Sequence, residues 1–241
     1  MGIKKLKKYC IQYSEKTGLV KMQNERTGIA IPKESTYPWL LEKHYAKRIP
    51  QIVHSYGVFE NQFMQGVITY GIPASPSLTM GLCGEQYKDI VLELNRLCLV
   101  QGHDKNLASY FVAQTLRMLP SPSIVVSYAD TSMDHVGYIY QATNFLYTGL
   151  SAKRTEWREI GLNTHSRTVV GHYSHEERVS NPDRFAQVDR PQKHRYIYFI
   201  GTRKEKKELA NALNYQVQPY PKGDSQRYDD GEKIHQQMTF L

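Results

Sequence analysis

The feature that most constrains the fold is a short apolar segment that leads into a turn rich in aspartate and histidine. The β-branched residues 124–126 follow two breakers, Pro120 and Pro122. This pattern predicts a central strand that ends near Ala129. Asp130 then stands at the carboxyl end of the strand. Because ligands of open α/β sheets bind beyond the carboxyl ends of their strands, the turn is a candidate functional site.

Two interpretations of the turn residues Asp130, Asp134 and His135 remain open. Their side chains can line a ligand site. Alternatively, Asp130 or Thr131 can cap the turn by accepting hydrogen bonds from backbone N–H groups. The local pattern favours neither interpretation over the other.

The other hydrophobic patterns predict a mixed α/β protein. β-rich runs around a short polar turn predict a hairpin, and Pro50 and Pro120 predict helix ends. We predict, in chain order, a helix over 38–48, hairpin strands over 52–59 and 63–72, a strand over 90–99, a helix over 107–119, a strand over 123–129, a helix over 138–147 and a strand over 194–201.

The chain length suits one large domain, which we place over 37–218. A basic arm or hairpin over 1–36 would precede it, and a tail over 219–241 would follow. Within the domain, residues 171–192 are rich in His, Asp and Arg, a composition that predicts an exposed loop.

The composition excludes several classes of protein. A mean hydropathy of −0.55, with no long apolar run, argues against a membrane span, and no apolar signal-peptide core follows the basic start. A cytoplasmic protein is therefore expected. Three scattered cysteines, Cys10, Cys83 and Cys98, predict reduced thiols rather than disulfides or a zinc site.

Positive charge is concentrated at the start of the chain. The net charge is +8, and residues 1–50 contain 11 Lys and Arg against 4 Asp and Glu, whereas residues 51–150 contain 4 against 7. Such a patch attracts a polyanion through counterion release, although many basic proteins bind nothing specific. Nucleic acid is therefore a candidate partner.

Three ordered motifs resemble the Mom family of bacteriophage DNA-modification proteins. They are HYAKRIP at 44–50, ELNRLCL at 93–99 and the segment 127–149, so the resemblance spans roughly 37–149. It implies conversion of adenine in double-stranded DNA to N6-carbamoylmethyladenine, which protects phage DNA from host restriction enzymes. The implied location is the cytoplasm of the bacterial host.

The order hairpin, strand, helix, strand, helix, strand is similar to that of GNAT (acyl-CoA N-acyltransferase) proteins. We therefore expect a GNAT-like mixed central sheet flanked by helices, with an elaborated C-terminal region. GNAT proteins bind the coenzyme A pyrophosphate at the helix that corresponds to 107–119. Here the preceding loop has only Gly102 of the usual glycines, so it can hold a donor, a DNA phosphate or nothing. The predicted sites for an acyl-CoA-type donor are Leu97, Cys98, Leu99, Asn106, Leu107 and Ala108.

The resemblance also implies four catalytic residues, which are His44, Tyr45, Asp130 and Tyr140. It implies an iron requirement, for which His44 and Asp130 would be the ligands. One imidazole and one carboxylate fall short of the usual two-histidine, one-carboxylate set unless another residue such as His135 joins them.

A base inside a duplex hides its N6 edge, so we expect the adenine to be extruded and held between aromatic rings. Asn144 suits the adenine edge. Arg96, a cation in an apolar strand, needs a ligand or a partner, for which Glu93 and Asp130 are the candidates. The alternatives are that the aromatic side chains pack on the sheet and that the cations are solvated. The predicted substrate residues are Lys47, Arg48, Arg96, Asn144, Tyr147, Lys153 and Arg154.

Two other functions remain open. A conventional N-acetyltransferase acting on an amine would explain the predicted fold. A non-catalytic DNA-binding protein would explain the charge. A homodimer is a further possible assembly.

Overall fold

A seven-stranded mixed sheet and a two-stranded sheet organise the protein. The computed structural model describes residues 26–162, 164 and 166–223. The strands are β1 (Arg26–Ala30), β2 (His54–Glu60), β3 (Phe63–Gly71), β4 (Val91–Leu99), β5 (Ser123–Asp130), β6 (Leu146–Leu150), β7 (Arg154–Glu159), β8 (Phe185–Arg190) and β9 (Lys193–Ile200).

The large sheet has the order β1-β2-β3-β4-β5-β9-β6, and β7 pairs with β8 in the small sheet. Strands β4 and β5 are parallel, whereas the other neighbours in the large sheet are antiparallel. A parallel pair needs a crossover connection, and the chain between β4 and β5 supplies it with a helix. The carboxyl ends of β4 and β5 therefore lie at the same edge of the sheet.

Among the described residues, six α-helices and four 3-10 or π-helical turns connect the strands. The helices are α1 (Pro76–Cys83), α2 (Leu107–Leu116), α3 (Tyr138–Ala142), α4 (Ser166–His172), α5 (His175–Ser180) and α6 (Arg203–Asn211). The turns are 3-10 helices at Lys33–Thr36, Glu85–Ile90 and Thr131–Met133, and a π-helical turn at Trp39–Lys43. None of the described helices has the length and apolar character that a membrane span requires.

Apolar side chains that alternate along the strands are buried on both faces of the large sheet. On one face, Val125 packs with Phe111 of α2, and on the other, Val126 packs with Leu82 of α1 and Leu209 of α6. A third cluster, around Trp39, covers the second face beside β3 and β4. Side chains alternate between the two faces of a strand, so burial of their apolar members fixes the register of the strands. These contacts therefore fix the positions of the strand ends at the candidate site.

The predicted mixed sheet flanked by helices is confirmed, and so is the order of hairpin, strand, helix and strand through β5. Residues 1–25 and 224–241, which include most of the predicted arm and tail, lie outside the described residues. The described part of the arm supplies edge strand β1, paired with β2. Cys83 and Cys98 are buried and are not joined to each other in a disulfide, and Cys10 lies outside the described residues.

The predicted helix over 38–48 is wrong beyond Lys43. His44 is extended, with φ −79° and ψ 134°, and Lys47 has a φ of 40°. The imidazole Nδ1 of His44 accepts the backbone N–H of Ala46 at 3.0 Å, so the side chain competes for a hydrogen bond that a helix would need. The helical spacing proposed for Leu41, Tyr45 and Arg48 therefore does not exist.

The predicted helix over 138–147 is also wrong beyond Ala142. Asn144 adopts a φ of 61°, a left-handed conformation that asparagine tolerates and that commonly ends a helix. The chain then forms β6, which pairs with β9 through Tyr147 and Tyr196. Helix α2 is confirmed, although it ends at Leu116 rather than residue 119.

The predicted loop over 171–192 is wrong, because this stretch contains the end of α4 and all of α5 and β8. A capping box at Ser174 and Glu177 begins α5, and β8 pairs with β7, from Phe185 opposite Glu159 to Arg190 opposite Arg154. The pairing joins residues that are distant in sequence, so the local composition did not reveal it. We call residues 151–192 the inserted module, because they leave the large sheet after β6 and rejoin it at β9.

Candidate functional site

Strands β4 and β5 are not paired with each other at their carboxyl ends, and we call the region between these ends the cleft. Their ladder runs from Val91 opposite Ile124 to Leu94 opposite Ser127, and beyond it β4 stays paired with β3 while β5 stays paired with β9. The register between β3 and β4 shifts here, so that Asn95 is an extra residue in β4. Such a bulge redirects the side chains that follow it, and the diverging ends of parallel strands are a common ligand site.

His44 and Tyr45 enter the cleft from the loop after the Trp39–Lys43 turn. Their rings stack, with centroids 4.5 Å apart and an interplanar angle of 27°. Burial, followed by the charge of Arg96, lowers the pKa of His44 to about 3, so the imidazole is neutral near pH 7. Because Nδ1 accepts the Ala46 N–H, the proton of the neutral ring is on Nε2. His44 is therefore a hydrogen-bond donor through Nε2.

Arg96 of β4 lies on the floor of the cleft. Its Nη1 donates to the carbonyl of Asn95 at 2.6 Å, and its buried Nε has no hydrogen-bond partner among the described residues. Burial lowers the pKa of this guanidinium, and the charges of Tyr45 and Glu93 act in the opposite direction. Arg96 is therefore electrostatically coupled to Tyr45 and Glu93.

Asp130 forms the opposite wall, on β5. Lys193 Nζ lies 2.6 Å from Oδ2, and Ser132 donates to Oδ1 through its hydroxyl at 2.7 Å and its backbone N–H at 3.1 Å. Burial by itself would raise the pKa of Asp130, but the hydrogen bonds from Lys193 and Ser132 outweigh it and lower the pKa. Asp130 therefore caps a turn, and it also faces the cleft, because its charge raises the pKa of Tyr45.

Tyr140 reaches the cleft from α3. Its ring packs against Phe145 and Tyr196, each with a centroid distance of 5.3 Å. Burial raises the pKa of Tyr140 to about 12, and Tyr45 and Glu93 add to this rise, whereas a hydrogen bond with Ser127 opposes it. The pKa of Tyr45 is also raised, chiefly by burial. Both phenols are thus neutral donors at physiological pH.

Glu93 lies at the candidate site, although the sequence analysis predicted it only as a partner for Arg96. It lies on β4 and is partly buried. Burial raises the pKa of its carboxyl group, and the charges of Arg96, Lys193 and Arg167 only partly offset that rise. The available signal was an acidic residue inside an apolar strand, which usually has a specific reason to be there.

Arg167 is a second residue that the sequence did not identify. It is exposed on α4, and its charge acts on both Glu93 and Arg96. No sequence motif linked it to the cleft, because the fold of the inserted module places it there. Arg48, also exposed, acts on Arg96 from the loop after Tyr45.

Several predicted substrate residues lie elsewhere. Asn144 lines a groove of about 500 Å³ between α2 and β9, and Tyr140 is not among its lining residues. Tyr147 is buried in β6, where its hydroxyl is 2.8 Å from Nδ1 of His194. Lys153 and Arg154 are exposed at the start of the inserted module, and Lys47 is exposed next to Arg48.

The six predicted donor-binding residues fall into two groups. Leu97, Cys98 and Leu99 are in β4 beyond the ladder with β5, and the Cys98 thiol donates to the carbonyl of Trp39 at 3.7 Å. Asn106, Leu107 and Ala108 begin α2, and Asn106 provides no side-chain cap. The two groups thus flank the loop between β4 and α2.

The predicted iron ligands do not fit a metal centre. Nδ1 of His44 accepts the Ala46 N–H. Metal ligation through Nε2 would place the ring proton on Nδ1, which could then no longer accept this hydrogen bond. Both Asp130 oxygens already accept hydrogen bonds, one of them from a cation. Across residues 26–162, 164 and 166–223, no three His, Cys, Asp or Glu side chains form a group that could hold a metal ion.

Comparison with known proteins places this geometry in context. The family model described as the Mom protein family matches residues 29–222. Methylcarbamoylase mom of Escherichia phage Mu is 32% identical over 195 residues, which are 75% of this chain and 77% of that protein.

Solved structures of GNAT acetyltransferases also match. A GNAT-family acetyltransferase from Bacillus cereus is 11% identical with a TM-score of 0.40, over 74% of this chain and 99% of that chain. The aminoglycoside acetyltransferase AAC(6')-Ib in complex with coenzyme A and kanamycin is 14% identical with a TM-score of 0.43, over 76% and 98% respectively.

Proposed function

Because the chain belongs to the Mom protein family, we propose that it is a transferase that modifies adenine in double-stranded DNA to N6-carbamoylmethyladenine. The observation that carries this proposal is the convergence of three distant segments at one cleft. His44 and Tyr45 come from a loop, Asp130 from β5 and Tyr140 from α3. Their mutual electrostatic coupling supports a shared chemical role.

The exocyclic nitrogen of adenine is a weak nucleophile, because its lone pair is conjugated with the ring. In the proposed reaction, N6 forms a bond to an electrophilic methylene carbon of the donor, and the leaving group departs with the electron pair of the broken bond. One N6 proton must be removed. Glu93 suits this task, because burial has raised its pKa toward neutrality, which makes it a better proton acceptor than an ordinary carboxylate.

The other groups have complementary proposed roles. Tyr140 and Tyr45, with raised pKa values, can donate hydrogen bonds or a proton to the leaving group. His44 donates from Nε2 and keeps Tyr45 in place through ring stacking. Asp130 fixes Lys193 and the turn, so we assign it the role of holding the cleft wall in position.

An acyl-CoA-type donor remains part of the proposal. The backbone of β4 beyond Leu94 has no partner in β5, which leaves an edge along which an extended arm can lie. Asn106 does not cap α2 with its side chain, so first-turn N–H groups after that of Leu107, which donates to the carbonyl of Asp104, can bind a phosphate. Attack at the acyl carbonyl of such a donor would expel the coenzyme A thiolate and leave an amide on N6. Carbamoylmethylation therefore requires a donor whose methylene carbon itself bears the leaving group, which departs as N6 bonds to that carbon.

The proposed biological effect is protection of phage DNA. A group on N6 projects into the major groove, where restriction enzymes read base edges. An adenine within a duplex must also leave the stack to reach a cleft, and Tyr45, which is 37% exposed there, offers a ring for stacking.

The test is mass spectrometry of nucleosides from plasmid DNA of cells that express the chain. We expect a deoxyadenosine species heavier by one carbamoylmethyl group, which disappears in Asp130→Ala and persists in the exposed-surface control Lys204→Met. Unmodified DNA despite folded protein and co-expressed phage functions would refute the proposal. Acetylated amines in its place would favour the conventional acetyltransferase.

A further inference from the structure

Helix α3, which carries Tyr140, is too short to keep its position by its own hydrogen bonds. It has five residues, and it lies between Gly137, with a φ of 79°, and Asn144, with a φ of 61°, both in the left-handed region. A single helical turn closes few backbone hydrogen bonds for the number of residues that it fixes. The place of Tyr140 in the cleft therefore depends on contacts with the rest of the fold.

The side chain of Gln141 supplies several of these contacts. Its Nε2 donates to the carbonyl of Val136 at 3.1 Å and to the hydroxyl of Tyr196 at 3.1 Å, and it lies 3.3 Å from the carbonyl oxygen of Pro221. The Tyr196 hydroxyl in turn donates to the Val136 carbonyl. A side-chain amide has two N–H donors, which these three acceptors share. Gln141 thus joins the turn before α3 to β9 and to the segment that follows α6.

We call residues 214–223, which come after α6, the C-terminal strap. The strap is attached to β6, the strand at one edge of the large sheet, because the backbone N–H of Gln218 donates to the carbonyl of Tyr147 at 2.9 Å. The hydroxyl of Tyr220 donates to the carbonyl of Phe145 at 2.7 Å, between α3 and β6. The strap therefore links α3 to the edge of the large sheet.

The turn before α3 is closely packed by two parts of the fold. A Cβ atom on Gly137 would overlap the ring of Tyr196, so only glycine fits at this position. The ring of Tyr140 packs on the same Tyr196 ring, with centroids 5.3 Å apart. In the strap, a Cβ atom on Gly223 would lie 2.6 Å from Cγ1 of Val136. Strand β9 and the strap thus both pack against the turn that leads into α3.

We propose that Gln141 is a positioning residue, which together with the C-terminal strap holds α3 so that the Tyr140 hydroxyl keeps its place in the cleft. This inference rests on the proposed function, because it takes Tyr140 as a donor of a hydrogen bond or a proton in the reaction. The Gln141 amide bonds to the turn, to β9 and to the strap, so it acts through Tyr140 and not by contact with the substrate. A displacement of about 1 Å at a reacting group can lower a rate by about 10²-fold.

The first measurement is hydrogen exchange of the folded protein, which requires no turnover. The reporting amides are those of Thr143, bonded to the Ile139 carbonyl at 3.1 Å, and of Phe145, bonded to the Tyr140 carbonyl at 3.0 Å. Gln141→Met keeps the length of the side chain and removes its N–H donors. We expect the protection of the two amides to fall by roughly two- to tenfold, the equivalent of about one net hydrogen bond.

The second measurement is a double-mutant cycle on adenine modification with Tyr140→Phe, which removes the hydroxyl and keeps the ring. In the wild-type background, Gln141→Met should lower kcat by roughly 10- to 100-fold, with little change in the KM for DNA. In the Tyr140→Phe background, it should lower kcat by less than about twofold, because the hydroxyl that Gln141 positions is absent. A merely structural role would lower both rates by the same factor.

Tyr220→Phe tests the strap through the removal of a single hydroxyl. It should lower the protection of the Phe145 amide by roughly two- to tenfold and should lower kcat, as Gln141→Met does. The matched control is Tyr110→Phe, because the Tyr110 hydroxyl also donates to a backbone carbonyl, that of Arg26 at 2.8 Å in β1, at the opposite edge of the sheet. The control should leave kcat and the exchange of the α3 amides unchanged.

Unchanged amide protection in Gln141→Met would overturn the inference, and so would equal kcat losses in the two backgrounds or a full rate in Tyr140→Phe. A loss confined to the KM for DNA would also overturn it, because Gln141 would then contact the substrate. If Gln141→Met does not fold, equal behaviour of Tyr220→Phe and Tyr110→Phe would overturn it. Lowered protection in a protein that leaves DNA unmodified would contradict the proposed function alone, whereas modification with unchanged protection would contradict the positioning role alone.

Discussion

The two walls of the cleft contain carboxylates in opposite states. On β5, Asp130 is held by Lys193 and Ser132, and its pKa is lowered. On β4, Glu93 has a raised pKa because burial outweighs the charges of its cationic neighbours. In the proposed mechanism, Asp130 on β5 therefore keeps the site in position, and Glu93 on β4 is the group that exchanges a proton.

Among the variants that test this comparison, we expect Glu93→Gln to cause the largest change, a loss of catalytic rate. If Glu93 accepts the N6 proton, kcat should fall by roughly 10²- to 10⁴-fold, the usual contribution of a positioned general base. In the wild type, kcat/KM should decrease as pH falls through the raised pKa of Glu93, since the base must be ionised. The pH profile of nucleoside modification provides the measurement.

This acid limb should be absent or shifted in the residual activity of Glu93→Gln. Binding to DNA should change little, so the loss should appear in kcat rather than in KM. A variant with a full rate and an unchanged pH profile would show that the β4 wall has no proton-transfer role.

The second prediction is that the ion pair on β5 contributes to the stability of the folded protein. Lys193→Met would leave the Asp130 carboxylate, whose side chain is 12% exposed, without its cation. We expect a loss of about 2–3 kcal/mol in the free energy of unfolding, between the values for exposed and buried ion pairs. Urea unfolding at pH 7 measures it.

Lys204→Met is the matched control, because Lys204 and Glu208 are 4.0 Å apart and their side chains are 87% and 54% exposed. It should cost less than about 0.5 kcal/mol, as exposed helix pairs do. Equal losses in the two variants would mean that the β5 wall is no more rigidly paired than the protein surface.

The smallest effect is the acid sensitivity that His44 confers. Its pKa is about 3 in the folded protein and 6.5 in the unfolded chain, so the unfolded state binds a proton that the folded state does not. Stability is thus complete above pH 6.5 and declines as pH falls toward 3. Linkage gives a loss of about 2 kcal/mol between pH 7.5 and 5.

His44→Gln should lack this part of the pH dependence, which urea midpoints at the two pH values would report. Other histidines remain in both proteins, so the relevant quantity is the difference between the two slopes. Parallel slopes would show that His44 is protonated in the folded protein and is not the neutral donor assigned to the cleft.

Regular elements with a clear hydrophobic period were predictable. The runs that became β4 and β5 alternate or are wholly apolar, and sheet burial enforces that period. The helix ends at Lys43 and Ala142 were missed for a different reason. A side-chain hydrogen bond at His44 and a left-handed Asn144 stop these helices, and hydrophobic spacing contains neither signal.

The sequence alone determined which segments we expect to carry chemistry, since the motifs that contain His44, Arg96 and Asp130 are local strings of residues. The tertiary structure decided what those residues can do. Asp130 is paired with Lys193, 63 positions away in the sequence, and the charge of Arg167 acts on Glu93 from α4, a helix that the sequence did not predict. Protonation depends on burial and on the nearest charges, and both are set by contacts between residues that are far apart in the chain.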